Sequence, residues 1–487
     1  MIDKLKELSK DTAIYGISTV IGRLFGFILI PFLTQFFTRD QMGVYGNIYA
    51  YIAFLNIFYI YGMDAAFLKY FSVAKKEDER DIFSTPYIFV GITSLLFTLI
   101  LLYFRTDIAA AMKVPEHYWR LLYYMIFILL FDTLALIPFA HLRLQRKAGK
   151  FAWIKITNIS VNLLANIVLV WGFRFDIDAI FISNLIASAL AFLLLLPEIM
   201  KYLHFKIDAV RLKRMLNFAL PYLPAALASV TVQVIDRPIL TYLTDDATVG
   251  VYTTNYKLGI SMMLYVGMFQ YAWQPFFLNN AKEKNAKEIF ARVLTLFMIV
   301  GSILVVGISL FVNDIASFEF MPGKTLIAQR FLEGLPIVPI ILLSYLFHGM
   351  YINFTAGIFI QEKTKYFPVV TITGAIVNVA FNLWAIPKWG IMGAAYATLA
   401  SYMVNAFLLY VFAQKFYPIK YEYRKIIMLF VLIAIAGAAY YYLLGTGQLY
   451  FFMKIIILFV FTAFLFVFKI LQKNEIVTTY KILMGKR

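Results

Sequence analysis

The sequence predicts an all-α integral membrane protein of about 14 transmembrane helices, arranged as two pseudo-symmetric six-helix bundles with two more helices after them. Composition, the spacing of apolar runs and an internal duplication lead to this reading. Of 487 residues, 62% are hydrophobic and only 15% charged. The mean hydropathy is +0.78, far outside the range of soluble globular proteins. Such a chain needs lipid as its solvent. Apolar stretches of the roughly 20 residues that a bilayer crossing takes recur from residue 12 to residue 471, separated by short polar loops. No length remains for a soluble domain.

The expected spans follow one another in order. The first, 12–36, is too long for the apolar part of a cleaved signal peptide and leads directly into a second span, so it is expected to stay as a helix. With 44–71, 85–104, 118–140, 151–173 and 179–196 it makes the first six, each bounded by breakers. The second six are 216–243, 250–278, 289–312, 337–360, 366–386 and 390–416, and the spans 426–444 and 449–471 complete the set. The domains expected are therefore 1–200, 201–418 and 419–487, the last holding two helices and a tail.

Lysine and arginine alternate between successive loops. The loops around Lys75, Arg146, Arg211, Lys284, Lys363 and Arg424 carry most of them, together with both termini. The intervening loops hold scattered members such as Arg39, Lys113, Arg174, Lys324 and Lys388. A balance of roughly thirty against eight makes the first set cytoplasmic by the positive-inside rule, with both ends on that side. Topology also accounts for the net charge of +17 without nucleic acid, because the basic residues lie in loops rather than on one soluble face. With 0 cysteines, disulfides, thiol nucleophiles and thiolate metal sites are excluded.

The two sixes are related by sequence. Leu33, Thr34, Gly43, Val44, Tyr45, Lys75, Ile82 and Phe83 return as Leu240, Thr241, Gly250, Val251, Tyr252, Lys282, Ile289 and Phe290, at a constant offset of 207. A second match joins Ile156, Thr157, Val161, Asn162 and Asn166 to Ile372, Thr373, Val377, Asn378 and Asn382 at an offset of 216, which requires only a loop insertion. Equivalent helices six spans apart cross in the same direction, which makes this a parallel repeat about an axis along the membrane normal. Such repeats are a transporter device for rocking two bundles about a site near the midplane.

An ionisable side chain at the centre of a span costs about 2.5–3.5 kcal/mol on insertion scales, so each one needs a reason. Arg23 lies near mid-bilayer in the first span, flanked by Gly22 and Gly26, and reads as lining a cavity, with a structural ion pair or a snorkelling side chain as the alternatives. Asp64 and Asp132 lie inside the second and fourth spans, where either can pair with Arg23 or carry a proton. Lys69 and Lys155 sit near cytoplasmic ends and are expected to snorkel.

In the second half, Asp236, Arg237 and Lys257 are expected at one level of the seventh and eighth spans, as a structural latch or a substrate clamp. Asp236 and Arg237 are about 100° apart on a helix, so one is expected to pair across to the eighth. Pro221 and Pro224 are expected to kink the seventh. Asn158, Asn162 and Asn166, like Asn378 and Asn382, share one helix face and read as interhelical hydrogen-bonding groups, and His348 reads as a core histidine. No catalytic motif sits at a membrane edge, and the sequence assigns no catalytic residue, metal or cofactor.

These residues resemble the polysaccharide transport and oligosaccharide flippase (Wzx-type) proteins of the multidrug, oligosaccharidyl-lipid and polysaccharide exporter superfamily. The resemblance covers essentially the whole chain. It rests on the opening helix with Tyr15, Gly16 and Pro31, the turn 39–45, the stretch 220–224, Asp236-Arg237 followed by Gly250-Val251-Tyr252 and Lys257, and the segments 273–277 and 390–398. The resemblance implies two bundles around a V-shaped cavity in the cytoplasmic (inner) membrane. It implies outward flipping of a polyprenyl-diphosphate-linked oligosaccharide, with membrane lipids and polysaccharide assembly enzymes as partners. Arg23, Arg237 and Lys257 then become candidates to hold the diphosphate, and Asp64, Asp132 and Asp236 candidates for ion coupling or ion pairing. The rivals are a drug or cation antiporter of the same superfamily, which should have an acid-dominated cavity, and a membrane-embedded polysaccharide polymerase or ligase. The latter would need more than the longest external loop, 313–330.

Overall fold

A computed structural model describes residues 29–72 and 78–471. They form an almost entirely helical protein: α1 Arg39–Ile60, α2 Met63–Ser72, α3 Glu79–Tyr103, α4 Arg105–Ala111, α5 Leu121–Leu144, α6 Ala148–Ile167, α7 Asp178–Tyr202 and α8 Ala209–Ala219. There follow α9 Leu223–Val234, α10 Asp236–Leu243, α11 Asp246–Leu258, α12 Ile260–Asn280, α13 Ala286–Ala316, α14 Ile337–Ile360, α15 Tyr366–Phe416, α16 Tyr423–Gly445 and α17 Phe451–Val467. The exception among the described residues is a hairpin, β1 Glu319–Met321 paired antiparallel with β2 Lys324–Thr325, in the long loop after α13.

Among the described residues, 10 helical stretches are long and apolar enough to cross a membrane. The difference from the expected fourteen has local causes. The expected span 12–36 falls mostly outside the described residues, 250–278 is divided at Gly259 and leaves in α12 a helix that is long enough but, with Gln270, Gln274 and Asn279, not apolar enough, and α17 is short. The expected spans 366–386 and 390–416 run together as α15, which breaks at Gly390 with φ 53°. The expected kink at Pro221 is a single 3-10 turn, Leu220–Tyr222, between α8 and α9. Another break separates α1 from α2 at Tyr61 and Gly62, both at positive φ, and a Cβ on Gly62 would stand 2.9 Å from the Ala219 carbonyl oxygen.

The duplication is visible in local chemistry. Thr38 caps α1 by accepting from the Gln41 amide at 3.3 Å. At the same offset of 207, Asp245 caps α11 by accepting from the Thr248 amide at 2.7 Å. In the second match, Asn166 donates to the Asn162 carbonyl at 2.8 Å and Asn382 donates to the Asn378 carbonyl at 2.9 Å. Two helices far apart in the chain thus repeat one side-chain arrangement.

By proximity the chain forms two compact units, Met1–Lys257 with Phe367–Ser401, and Leu258–Tyr366 with Tyr402–Arg487. In the first, buried Met63, Phe67, Phe83, Leu142, Ile154 and Leu195 join α2, α3, α5, α6 and α7 into one core. Arg120 grips Asp178 with two bonds, 2.6 and 2.7 Å, holding the starts of α5 and α7 together. In the second, Trp273 stacks on Phe269, packs against Phe277 and Phe290, and donates to the Asn353 carbonyl at 3.2 Å. A 2.5 Å ion pair from buried Lys454 to Asp314 ties α17 to α13.

Candidate functional site

The charged residues singled out by the sequence fall into two groups within the first unit; Arg23 lies outside the described residues. One group surrounds the start of α10, where the helix restarts after Ile235 and Pro238 occupies the first turn, a position that needs no amide donor. Asp236 and Arg237 are both buried here. Arg237 folds back to place Nη1 2.9 Å from its neighbour's Oδ1 and 2.9 Å from the Gln233 carbonyl oxygen, while the Tyr252 hydroxyl donates to the same carboxylate. The Arg237 guanidinium lies 4.3 Å from the Tyr256 ring centre.

The expectation that the adjacent charges cannot share a partner is corrected, because the long guanidinium stem reaches around the start of the helix to its own neighbour. The expected contact across to the eighth span is present, made by Asp236 with the Tyr252 hydroxyl. The pair is closed and electrically neutral. Lys257 differs. It is half-buried, its Nζ donates to the Tyr45 hydroxyl at 2.5 Å and lies 4.4 Å from that ring's centre. Among the described residues no carboxylate pairs with it.

The second group lines a cavity of about 420 Å³. Asn56 enters from α1, Asp64 from α2, Asp132 from α5, Lys155 and Asn158 from α6, and Asn184 and Ser188 from α7. Asp132 lies eleven residues into α5, about 17 Å along its axis, yet it is not packed over by protein and faces the cavity. Among the described residues neither Asp64 nor Asp132 forms an ion pair. Lys155 also departs from expectation, for it lines this cavity over the Phe139 ring, 4.3 Å from its centre, rather than reaching for headgroups. Asn158 does bond between helices, donating to the Ala187 carbonyl at 2.8 Å, whereas Asn166 and Asn382 bond within their own helices. His348 packs its ring against Tyr351 and Tyr402.

Sequence reasoning missed the ion cluster on Glu198, where α5, α6 and α7 converge. Buried Glu198 accepts from Lys147 at 2.9 Å and Lys150 at 3.0 Å, with His141 Nδ1 3.2 Å away. A lone acid at the end of a span among basic residues was the available signal. Tyr45 and Tyr252 stand out in the sequence as members of the repeat and of the family resemblance, and their roles as partners of Lys257 and Asp236 depend on which helices meet.

The apolar helices and the fold they form define a multi-pass membrane protein. The chain belongs to the family described as polysaccharide biosynthesis protein, whose pattern matches residues 8–281. It is similar to a lipid II flippase, MurJ, in an inward closed conformation, with TM-score 0.73 and 16% identity over 94% of this chain and 100% of that one. It is also similar to an inward-facing multidrug resistance MATE family transporter, with TM-score 0.67 and 13% identity over 81% and 94%. By sequence it is 21% identical over 408 residues to an uncharacterized membrane protein of Haemophilus influenzae, covering 76% of this chain and 94% of that one. It is 22% identical over 287 residues to the Lsg locus putative protein 1 of the same organism, covering 57% and 67%.

Proposed function

We propose that this protein moves a polyprenyl-diphosphate-linked oligosaccharide from the cytoplasmic to the outer leaflet of the cytoplasmic membrane by alternating access. Family membership supports a lipid-linked saccharide as cargo, and the likeness to a lipid II flippase supports the movement. The observation that carries the reading is Lys257, a half-buried cation with a neutral phenol for its described partner. In a low-dielectric setting it attracts a diphosphate strongly, whereas Arg237 already has its counter-charge in Asp236. An inside-negative potential favours outward movement of each negative charge by about 2.3 kcal/mol per 100 mV. Asp64 and Asp132, both without ion pairs among the described residues, are the candidates for coupling to sodium or proton influx. The lysine and arginine pattern supports a cytoplasmic position for both termini, and polysaccharide assembly enzymes are the proposed partners.

The test is reconstitution into liposomes with a labelled lipid-linked oligosaccharide, followed by accessibility of the label from outside. Lys257→Ala is expected to keep the thermal stability of the wild type and to slow movement about tenfold or more, the loss of one charge-assisted contact; Lys257→Arg should retain most of it. Efflux of an organic cation without movement of any glycolipid would replace the flippase reading with the antiporter.

A further inference from the structure

We propose that the cavity around Asp132 is a sugar subsite, which binds an uncharged, hydroxyl-rich ring of the cargo while Lys257 holds its anionic group. The proposal rests on the flippase reading for its cargo. Its geometry stands within one compact unit.

The wall of the cavity is chemically mixed and balanced. Asp64 and Asp132 oppose Lys155 and Arg143, so the formal charges cancel. A diphosphate gains little in such a place, and neither does an organic cation. Asn158 and Asn184 each commit one amide hydrogen to the protein, to the Ala187 carbonyl and the Tyr49 hydroxyl, both at 2.8 Å. Their remaining amide groups, the two carboxylates and the Lys155 ammonium form a set of donors and acceptors suited to a ligand that both donates and accepts. Vicinal hydroxyls do both. The volume of about 420 Å³ lies toward the low end of small-molecule sites, about 300–1,000 Å³, and suits a mono- or disaccharide.

An aspartate that faces a cavity halfway along a spanning helix needs such a purpose. Burying an acid at this depth without a partner is costly, and lining an aqueous or ligand-filled cavity relieves that cost.

Helix α1 connects the cavity to Lys257. Tyr45, Tyr49 and Asn56 are spaced i, i+4 and i+11, which places them on one face. Tyr45 meets Lys257, Tyr49 meets Asn184, and Asn56 lines the cavity. The Tyr45 and Tyr49 rings are 4.7 Å apart. A ligand with its phosphate at Lys257 and its sugar beside Asn56 would therefore follow one helix face for about 17 Å, with aromatic rings along the way.

The absence of cysteine from the chain makes the test clean. Leu136 lines the cavity without a polar role, so Leu136→Cys supplies a unique thiol there. In proteoliposomes its rate of alkylation by a small maleimide would be measured with glucose, galactose, N-acetylglucosamine or N-acetylgalactosamine. Sorbitol serves as the osmotic control, and sodium and pH are varied separately. At least one sugar is expected to slow labelling, and Asp132→Asn or Asn184→Ala in the same background should weaken that protection about tenfold. Equal rates with every sugar overturn the subsite, as does protection by sodium or protons alone, which would make the cavity a cation site. Movement of a lipid-linked saccharide is followed in the same liposomes. Sugar protection without lipid movement would overturn the flippase reading and leave the subsite standing, whereas lipid movement with no sugar protection would do the reverse.

Discussion

Gly43 and Gly250 hold reciprocal places where α1 and α11 meet. A Cβ on Gly43 would stand 1.8 Å from the Asp246 carbonyl oxygen, and a Cβ on Gly250 would stand 1.9 Å from the Arg39 carbonyl oxygen. Arg39 and Asp246, like Gly43 and Gly250, are related by the offset of 207. Each copy of the repeated motif therefore presses its glycine onto the backbone of the other, the pattern that a local two-fold axis produces.

That contact predicts the effect of a single methyl group. Gly43→Ala and Gly250→Ala should each force the two helices apart, since the obstructing atoms are backbone and cannot rotate away. The expected cost is roughly 1–3 kcal/mol of stability, read as a lower thermal midpoint of the purified protein. The double substitution should cost less than the sum, because one separation relieves both clashes. Two variants with wild-type midpoints would show that the helices do not touch.

Beside the same contact, Asp246 sits outside the spans, and its carboxyl is pushed up to about 6 by burial first and then by Asp40 and Asp245. A carboxyl whose folded-state pKa is raised favours folding below its ordinary value, and that contribution is lost as pH rises through about 6. Asp246→Asn is neutral throughout. The variant should therefore match the wild type in acid and exceed it near neutrality, in thermal midpoints measured across this interval. Parallel profiles for the two proteins would remove the charge crowding.

How far the sequence led can be seen at these residues. The apolar runs located the helices from α1 onward, because a span without enough hydrophobic length cannot exist in lipid. Gly43-Val44-Tyr45 and Gly250-Val251-Tyr252 marked the duplication, but that the two motifs lie against each other is a tertiary fact with no local signature. The same limit governs the charges. Asp64 and Asp132 were recognisable as acids out of place, while the cavity that unites them with Lys155, Asn184 and Ser188 exists only once five helices are assembled. Arg237 was misjudged because angular spacing on a helix describes where a Cβ points and not where a guanidinium can reach.

Glu198 offers a test of the buried polar cluster that the sequence did not disclose. It is 3% exposed and holds Lys147 and Lys150 at once, so Glu198→Gln leaves two ammonium groups facing each other beside His141. Both lysines keep access to solvent, which tempers the penalty below the 3–5 kcal/mol of a fully buried pair; roughly 1–3 kcal/mol is expected. Lys147→Met with Lys150→Met in the Glu198→Gln background should recover part of the loss. Failure of Glu198→Gln to lower the midpoint would mean that the cluster is dispensable for stability.

Asp236 and Arg237 should behave in the opposite way from Lys257, and the contrast separates structure from transport. Asp236→Asn removes the counter-charge from a buried guanidinium, and Arg237→Met does the same to a buried carboxylate, so each should destabilise by about 3–5 kcal/mol. Replacing both, as Asp236→Asn with Arg237→Met, removes the ion pair and leaves an amide that Tyr252 can still reach. Stability should then return to within about 1–2 kcal/mol of the wild type, because a buried pair gains little over a neutral replacement. Transport by the double variant decides its role: if the pair only latches α10 to α11, movement of lipid-linked oligosaccharide survives with the recovered fold. If the pair opens during the cycle to offer Arg237 to a diphosphate, the recovered fold is inactive. Lys257→Ala, by contrast, should lose transport without losing stability, since the Lys257 amine meets a phenol and no buried acid is stranded by its removal.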